Sequence, residues 1–314
     1  MPRWNRLSRL TSALVLTGVA SAVLLGQEPT FKTGTEIVSL FVTVVDAQGR
    51  LVPDLTKDDF EILDNDKVQP IIYFENIIQP ISVVVMLDTS GSMTGSISLL
   101  KDAAEQFLLR LLPADQGRVG AFNDKIQISA HFTKNRDELI GDVKELDYGN
   151  GTRLWDAVLL SLEELKGIEG RRVVLVFTDG KDEPAYDQDR TKFQAVKDHA
   201  IENEVMIYAI AVPAQVVGAG AIVMGRQYGG GTKYEPPNKQ LRELADATGG
   251  GHLPFDWAQN LDVIFTRVAD ELHRQYLIGF SPVRLDGKVH QISVNSKKSG
   301  LTVRARQSYV AEGQ

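Results

Sequence analysis

The chain has 314 residues, with 34 Lys+Arg against 41 Asp+Glu and no cysteine. The missing cysteine excludes disulfide scaffolds, thiolate zinc sites, iron–sulfur clusters, cysteine nucleophiles and a lipid-modified N-terminal Cys. A net charge of −7 argues against a general nucleic-acid binder, which needs a basic surface to displace counterions.

Residues 1–26 carry Arg3, Arg6 and Arg9, no acid, and an apolar stretch from Leu10 to Leu25. A basic start, a short apolar middle and the small residues Ala20-Ser21-Ala22 predict a secretory signal peptide, with cleavage after Ala22 fitting the small-x-small rule. The alternative is an uncleaved anchor, although the stretch falls short of the roughly 20 residues of a spanning helix. Removal would take the net charge from −7 to −10 and leave a protein exported to the periplasm or beyond.

From Phe31 to about Gln79 the texture is β. Glu36–Val45 alternates and is β-branched, Asp46–Gly49 reads as a turn, and Phe60–Leu63 and Ile71–Phe74 are short strands around the turn-like Asp64-Asn65-Asp66. From Ile81 to Gln275 strands and helices alternate. Ile81–Leu87, Arg172–Thr178 and Val205–Val212 are continuous apolar runs, expected of strands buried on both faces. Val119–Phe122 and Ile126–Phe132 are shorter strands. Helices are predicted after Ile97, over Arg136–Leu146, Leu154–Leu165 and Asp189–Asn203, from the cap Asn238 to the stop Gly249-Gly250-Gly251, and over Ala258–Arg274. After Gln275 the chain returns to β, with Tyr276–Phe280, His290–Val294 and Leu301–Arg306 and a hairpin turn at Asp286-Gly287.

This order predicts an α/β fold, a doubly wound and mostly parallel sheet with helices on both faces. The β material at each end is too little to stand alone. The expected organisation is therefore a signal peptide (1–26), an α/β domain (80–275), and one small β domain built from 27–79 and 276–314 into which the α/β domain is inserted.

Ligands of open α/β sheets bind at the carboxyl ends of the strands. Asp88-Thr-Ser90-Gly-Ser92 follows the first buried strand, Thr178-Asp179-Gly180 follows another, and Gly151-Thr152-Arg-Leu-Trp-Asp156 enters a helix. Asp88, Ser90, Ser92, Thr152 and Asp179 thus fall at one end of one sheet. Hard oxygen ligands with two carboxylates suit Mg²⁺, and the absence of thiol and His from the set disfavours soft metals. Taken alone, the Asp-x-Ser-x-Ser pattern is equally compatible with a helix N-cap.

The DTSGS, GTRLWDA and FTDG segments resemble the three loops of the metal-ion-dependent adhesion site of von Willebrand factor type A domains, over roughly residues 80–275. The resemblance implies that Ser90, Ser92 and Thr152 are hydroxyl ligands of a divalent cation, Mg²⁺ or else Mn²⁺ or Ca²⁺. Asp88 and Asp179 would be its acids, and an open coordination position would accept a partner's carboxylate. Asp156 would brace the loops. The flanks Val52–Phe60 and Gln275–Pro282 are similar to a bacterial exported group of such proteins. In one departure from the family pattern, the strand Arg118–Asp124 reads as about two residues short, which would weaken the sheet there. The Gly-rich stretch Pro213–Pro237 is either a partner-contacting loop or an insertion.

Gly229–Lys233 lacks the spacing of a phosphate loop, and the five histidines form no metal motif. Lys297-Lys298 and Arg304/Arg306 read as a solvated strand face. Ser90 and Ser92 have no recognisable His partner for nucleophilic chemistry. The expected function is non-enzymatic: an exported adhesion or assembly module that engages an acidic group of a protein partner through a divalent cation, with no nucleic acid and no stable membrane span. The alternatives are a metal-dependent hydrolase and a scaffold with a structural cation.

Overall fold

The computed structural model describes residues 37–183, 190–212, 214–216, 233–235, 239–255 and 261–311. In chain order the first strands are β1 (Val38–Val45), β2 (Phe60–Asp64), β3 (Lys67–Gln69) and β4 (Tyr73–Glu75). The middle of the chain holds β5 (Ile81–Asp88), α1 (Ile97–Leu109), β6 (Gln116–Phe122), β7 (Ile126–Ile128), α2 (Arg136–Glu145), α3 (Leu154–Leu165), β8 (Arg171–Thr178) and α4 (Phe193–Glu202). It continues with β9 (Met206–Ala211), β10 (Ala214–Val216), β11 (Lys233–Glu235), α5 (Lys239–Thr248), β12 (His252–Pro254) and α6 (Leu261–His273). The last strands are β13 (Tyr276–Phe280), β14 (Val289–Ser296), β15 (Thr302–Arg304) and β16 (Ser308–Val310).

The central sheet has the order β12-β9-β8-β5-β6-β7, parallel except for β7. Its apolar runs do what uninterrupted hydrophobicity requires: every residue of β5 and β9 is buried. Side chains alternate between faces. Val83, Val85 and Leu87 pack on one side with Leu100 and Phe107 of α1 and Phe265 of α6. Val84 and Met86 pack on the other with Trp155 and Leu162 of α3, Val196 of α4 and Leu241 of α5. The doubly wound α/β expectation is met.

The outer strands form two four-stranded sheets, β15-β1-β13-β4 and β16-β14-β2-β3, and each mixes strands from both ends of the chain. β1 pairs antiparallel with β13 from Val38↔Phe280 to Val42↔Tyr276, and β2 with β14 from Phe60↔Ser296 to Asp64↔Ile292. Leu40, Val42, Phe60, Ile62, Tyr276 and Phe280 share a separate apolar cluster. The β2–β3 turn at Asn65 and Asp66 has φ of 47° and 63°, the left-handed pair of a tight hairpin. At the base of the central sheet, Asp115 accepts the N–H groups of Ile81 (2.9 Å) and Leu112 (2.6 Å) and lies 2.8 Å from His273 Nε2. One carboxylate thereby ties the start of β5 to the turn after α1 and the end of α6. Burial alone would raise its pKa, but the bonds from His273, Ile81 and Leu112 and the His273 charge hold it below the usual range.

Several local expectations change. Asp286-Gly287 is not a hairpin turn, because β13 and β14 belong to different sheets and the chain crosses between them there. The strand expected over Ile126–Phe132 keeps only its first three residues, and β12 and β16 are strands the sequence reading passed over. Each is three residues long, too short for a period to register. β6 is not weakened, since it pairs with β5 at seven positions, Ser82↔Gln116 to Asp88↔Phe122. Gly249 does end α5, in the left-handed region at φ 75°. The signal segment 1–26, the cap Asn238 and most of 213–237 lie outside the described residues, although β10 and β11 pair antiparallel within that stretch. No helix among the described residues is long and apolar enough to cross a membrane.

Taking 79/80 and 275/276 as the junctions, a fragment of residues 80–275 should fold. Residues 27–79 alone should be disordered, because β1 and β4 find their partners only after residue 275. Circular dichroism and amide dispersion of the two fragments check this. A cooperatively unfolding 27–79 fragment would contradict it.

Candidate metal-ion site

β5 and β8 are adjacent, and the chain leaves β5 toward β6 on one side before returning to β8 on the other. That reversal opens a crevice at the carboxyl ends of the two strands. Asp88 is the last residue of β5 and is fully buried. Its Oδ1 accepts the Ser90 N–H (3.0 Å) and its Oδ2 the Thr178 hydroxyl (2.6 Å), Thr178 being the last residue of β8. Burial raises the Asp88 pKa to about 7; the Asp179 charge adds to this, and the bonds from Ser90 and Thr178 oppose it.

Ser90 occupies the N-cap position of a short 3-10 helix, Gly91–Ser96, yet its side chain makes no capping bond. Its hydroxyl instead lies 3.2 Å from that of Ser92. Ser90 is buried and Ser92 exposed, so the pair leads from the interior to solvent. Asp179, also buried, accepts the Lys181 N–H through Oδ1 (3.1 Å), while its Oδ2 is buried with no hydrogen-bond partner among the described residues. Thr152 is buried in the third loop, its N–H donating to the Glu183 carbonyl (3.0 Å), and makes no hydrogen bond to the other four residues.

Neighbouring bonds lock the three loops together. Gly149 N–H donates to the Thr89 carbonyl, joining the Thr152 loop to the Asp88 loop. Trp155 N–H donates to Asp182 Oδ1 (3.3 Å), joining the start of α3 to the Asp179 loop. Asn123 donates to Thr89 Oγ1 (3.0 Å) and accepts the Lys125 N–H. Asp156 accepts from Arg153 Nε (2.7 Å) and from the Thr191 hydroxyl, so it braces the loops. The sequence reading missed Thr178, Asn123 and Asp182. The signal for Thr178 and Asp182 was their place beside Asp179; Asn123 carried none beyond its position after a strand.

The profile of the von Willebrand factor type A domain matches residues 83–181. Residues 83–181 belong to the von Willebrand factor type A family. Solved structures resemble the chain at low identity. A von Willebrand factor type A protein from Catenulispora acidiphila is 13% identical, with a TM-score of 0.50 over 89% of this chain and 75% of that one. An aerotolerance-related membrane protein from Bacteroides fragilis, carrying multiple mutations to serine, is 17% identical with a TM-score of 0.48 over 61% and 98%. Proximal thread matrix protein 1 from the mussel byssus, with zinc in its MIDAS motif, is 15% identical with a TM-score of 0.49 over 67% and 49%. No curated protein matches the chain in sequence.

The A domain's donor set fits a hard cation. Among the described residues no three His, Cys, Asp or Glu side chains form a group that could hold a metal ion, and the five residues expected from the sequence would offer two carboxylates and three hydroxyls instead. The unpartnered Asp179 Oδ2 and the uncapped Ser90 hydroxyl are oxygens with unused acceptor capacity.

Asp88 also sets a pH dependence. Its folded pKa lies above the ordinary 3.8, so the cation-free fold loses stability as pH rises from about 4 through about 7 and levels off beyond. In chelator at about pH 8, Asp88→Asn should therefore unfold about 3 °C or more above the wild type, the gap closing toward about pH 5. Calorimetric scans of both proteins at the two pH values check this; a variant less stable at about pH 8 would contradict it.

Proposed function

We propose that the A domain is an exported, non-enzymatic binding module. It holds Mg²⁺, or Mn²⁺ or Ca²⁺, through the hydroxyls of Ser90, Ser92 and Thr152, with Asp88 and Asp179 supplying the charge, and offers it to an Asp or Glu carboxylate of a protein partner. The observation that carries this reading is Asp179 Oδ2, a buried carboxylate oxygen without a hydrogen-bond partner, in the loop next to the Asp88 carboxylate. A buried acceptor of this kind is costly unless something positive faces it.

When bound, the cation supplies an electrophilic centre that takes a further oxygen ligand. The chain's own residues do the rest. Thr178 and the Ser90 N–H fix the Asp88 carboxylate, and the Asn123 and Asp182 bonds hold the loops in register. The two carboxylates balance the cation's charge, but the three neutral hydroxyls do not quench its electrophilicity and the shell stays short of oxygens, so an external carboxylate is attracted and a basic group is not. The basic, apolar N-terminal segment supports export. With that segment removed the charge would be −10, which opposes the long-range approach of an acidic partner and makes the short-range contact decisive.

Immobilised protein should retain its partner from an extract in Mg²⁺ and release it in EDTA. Thr152→Ala should weaken retention about tenfold, roughly the loss of one ligand oxygen to a charged centre, and retention should depend on one Asp or Glu of the partner. Full-strength capture in EDTA would contradict the cation bridge.

A further inference from the structure

The opposite end of β8 carries a second anomaly. Arg171 opens the strand, seven residues before Thr178 and so about 23 Å from it along an extended chain. Only 4% of it is exposed. Its guanidinium donates to the Leu272 carbonyl and to Gln275 Oε1, and lies 4.7 Å from the centre of the Phe41 ring. Every one of these partners is neutral, and no carboxylate pairs with Arg171 among the described residues. A buried cation without a direct ion pair is expensive, and burial pushes this guanidinium down to about 10, although the Asp115 charge opposes the shift.

Two more arginines share its surroundings. The Nε atoms of Arg171, Arg172 and Arg306 are all buried without a hydrogen-bond partner. Arg306 NH2 donates to the Ser39 carbonyl (3.0 Å). Its NH1 lies 2.6 Å from Glu204 Oε1, off the N–H direction, which makes an ion pair without a hydrogen bond. All three arginines and Glu204 line one cavity of about 60 Å³, bounded by β1, the start of β8 and the α4–β9 turn. These three arginines and one glutamate are the charged residues of its lining.

The cavity equals roughly two waters at about 30 Å³ each, the size of a small oxyanion. It shares Phe41, Arg171 and Glu204 with an outer groove of about 670 Å³. Guanidinium groups match the oxygens of carboxylate and phosphate in a fork.

We propose that this cavity is an anion site, in which Arg171, Arg172 and Arg306 bind the oxyanion end, carboxylate or phosphate, of a small ligand. The site joins β1 to the central sheet, so its ligand ties the outer sheets to the A domain. This is independent of the cation site.

Isothermal titration of the full chain in EDTA, at fixed ionic strength, tests it with inorganic phosphate in one arm and acetate in the other. At least one anion should bind saturably at a single site and raise the unfolding temperature; the arm that binds identifies the oxyanion. Arg306→Gln, with its fold checked by circular dichroism, should weaken binding at least tenfold, and Asp179→Asn should leave it unchanged. Because Arg171 also holds Leu272 and Gln275, Arg172→Gln serves as the second variant. Absence of saturable binding for both anions, or undiminished binding in both Arg306→Gln and Arg172→Gln, overturns the proposal and leaves water as the partner of these donors.

Discussion

A carboxylate at the end of a strand that is buried on both faces is the constraint around which this molecule is arranged. Every residue of β5 is buried, and the strand delivers Asp88 to the crevice with no solvent to share the charge. The hydrogen bonds from Ser90 and Thr178 offset part of the cost, but the nearby Asp179 charge adds to it. Two buried acids side by side invite either a proton or a cation. The apolar runs that make the sheet stable are the same ones that create this demand, so the core and the site are one design.

Holding that demand in one place falls to residues that touch no ligand. The Asp88 loop, the Thr152 loop and the Asp179 loop are tied in pairs through Gly149 to Thr89 and Trp155 to Asp182. Close approach is what this requires. A Cβ on Gly149 would overlap the side chains of Asn123 and Asp124, and one on Gly91 would come within 3.3 Å of the Asn150 carbonyl. The Ser90 hydroxyl, freed from capping, gains its orientation from Ser92. A rigid second layer of this kind keeps an oxygen set in place before any ligand arrives.

The long features were legible in the sequence, and so were the three loops of the candidate site. Uninterrupted runs such as Ile81–Leu87 announce burial on both faces, and the five oxygen-bearing residues stand directly at strand ends or a helix entry. What escaped was either short or relational. β12 and β16 have three residues each. Asp286-Gly287 has turn composition, but composition does not say which strands will pair, and here they lie in different sheets. Asn123 and Asp182 are unremarkable until the fold places Thr89 and Trp155 beside them. Arg171 stands just before the strand expected over Arg172–Thr178, and only the packing of Phe41, Leu272 and Gln275 around it shows a buried charge.

β8 therefore links two electrostatic problems of opposite sign, buried acids at its carboxyl end and a buried arginine without a direct ion pair at its start. The acids define the central claim, and locating a bound metal tests it most directly. A crystal of the full chain grown with Mn²⁺ should give an anomalous peak ligated by the Ser90 and Ser92 hydroxyls, with Asp179 Oδ2 bound to it directly or through one water. Absence of a peak at saturating Mn²⁺, or a peak elsewhere on the molecule, would contradict the account.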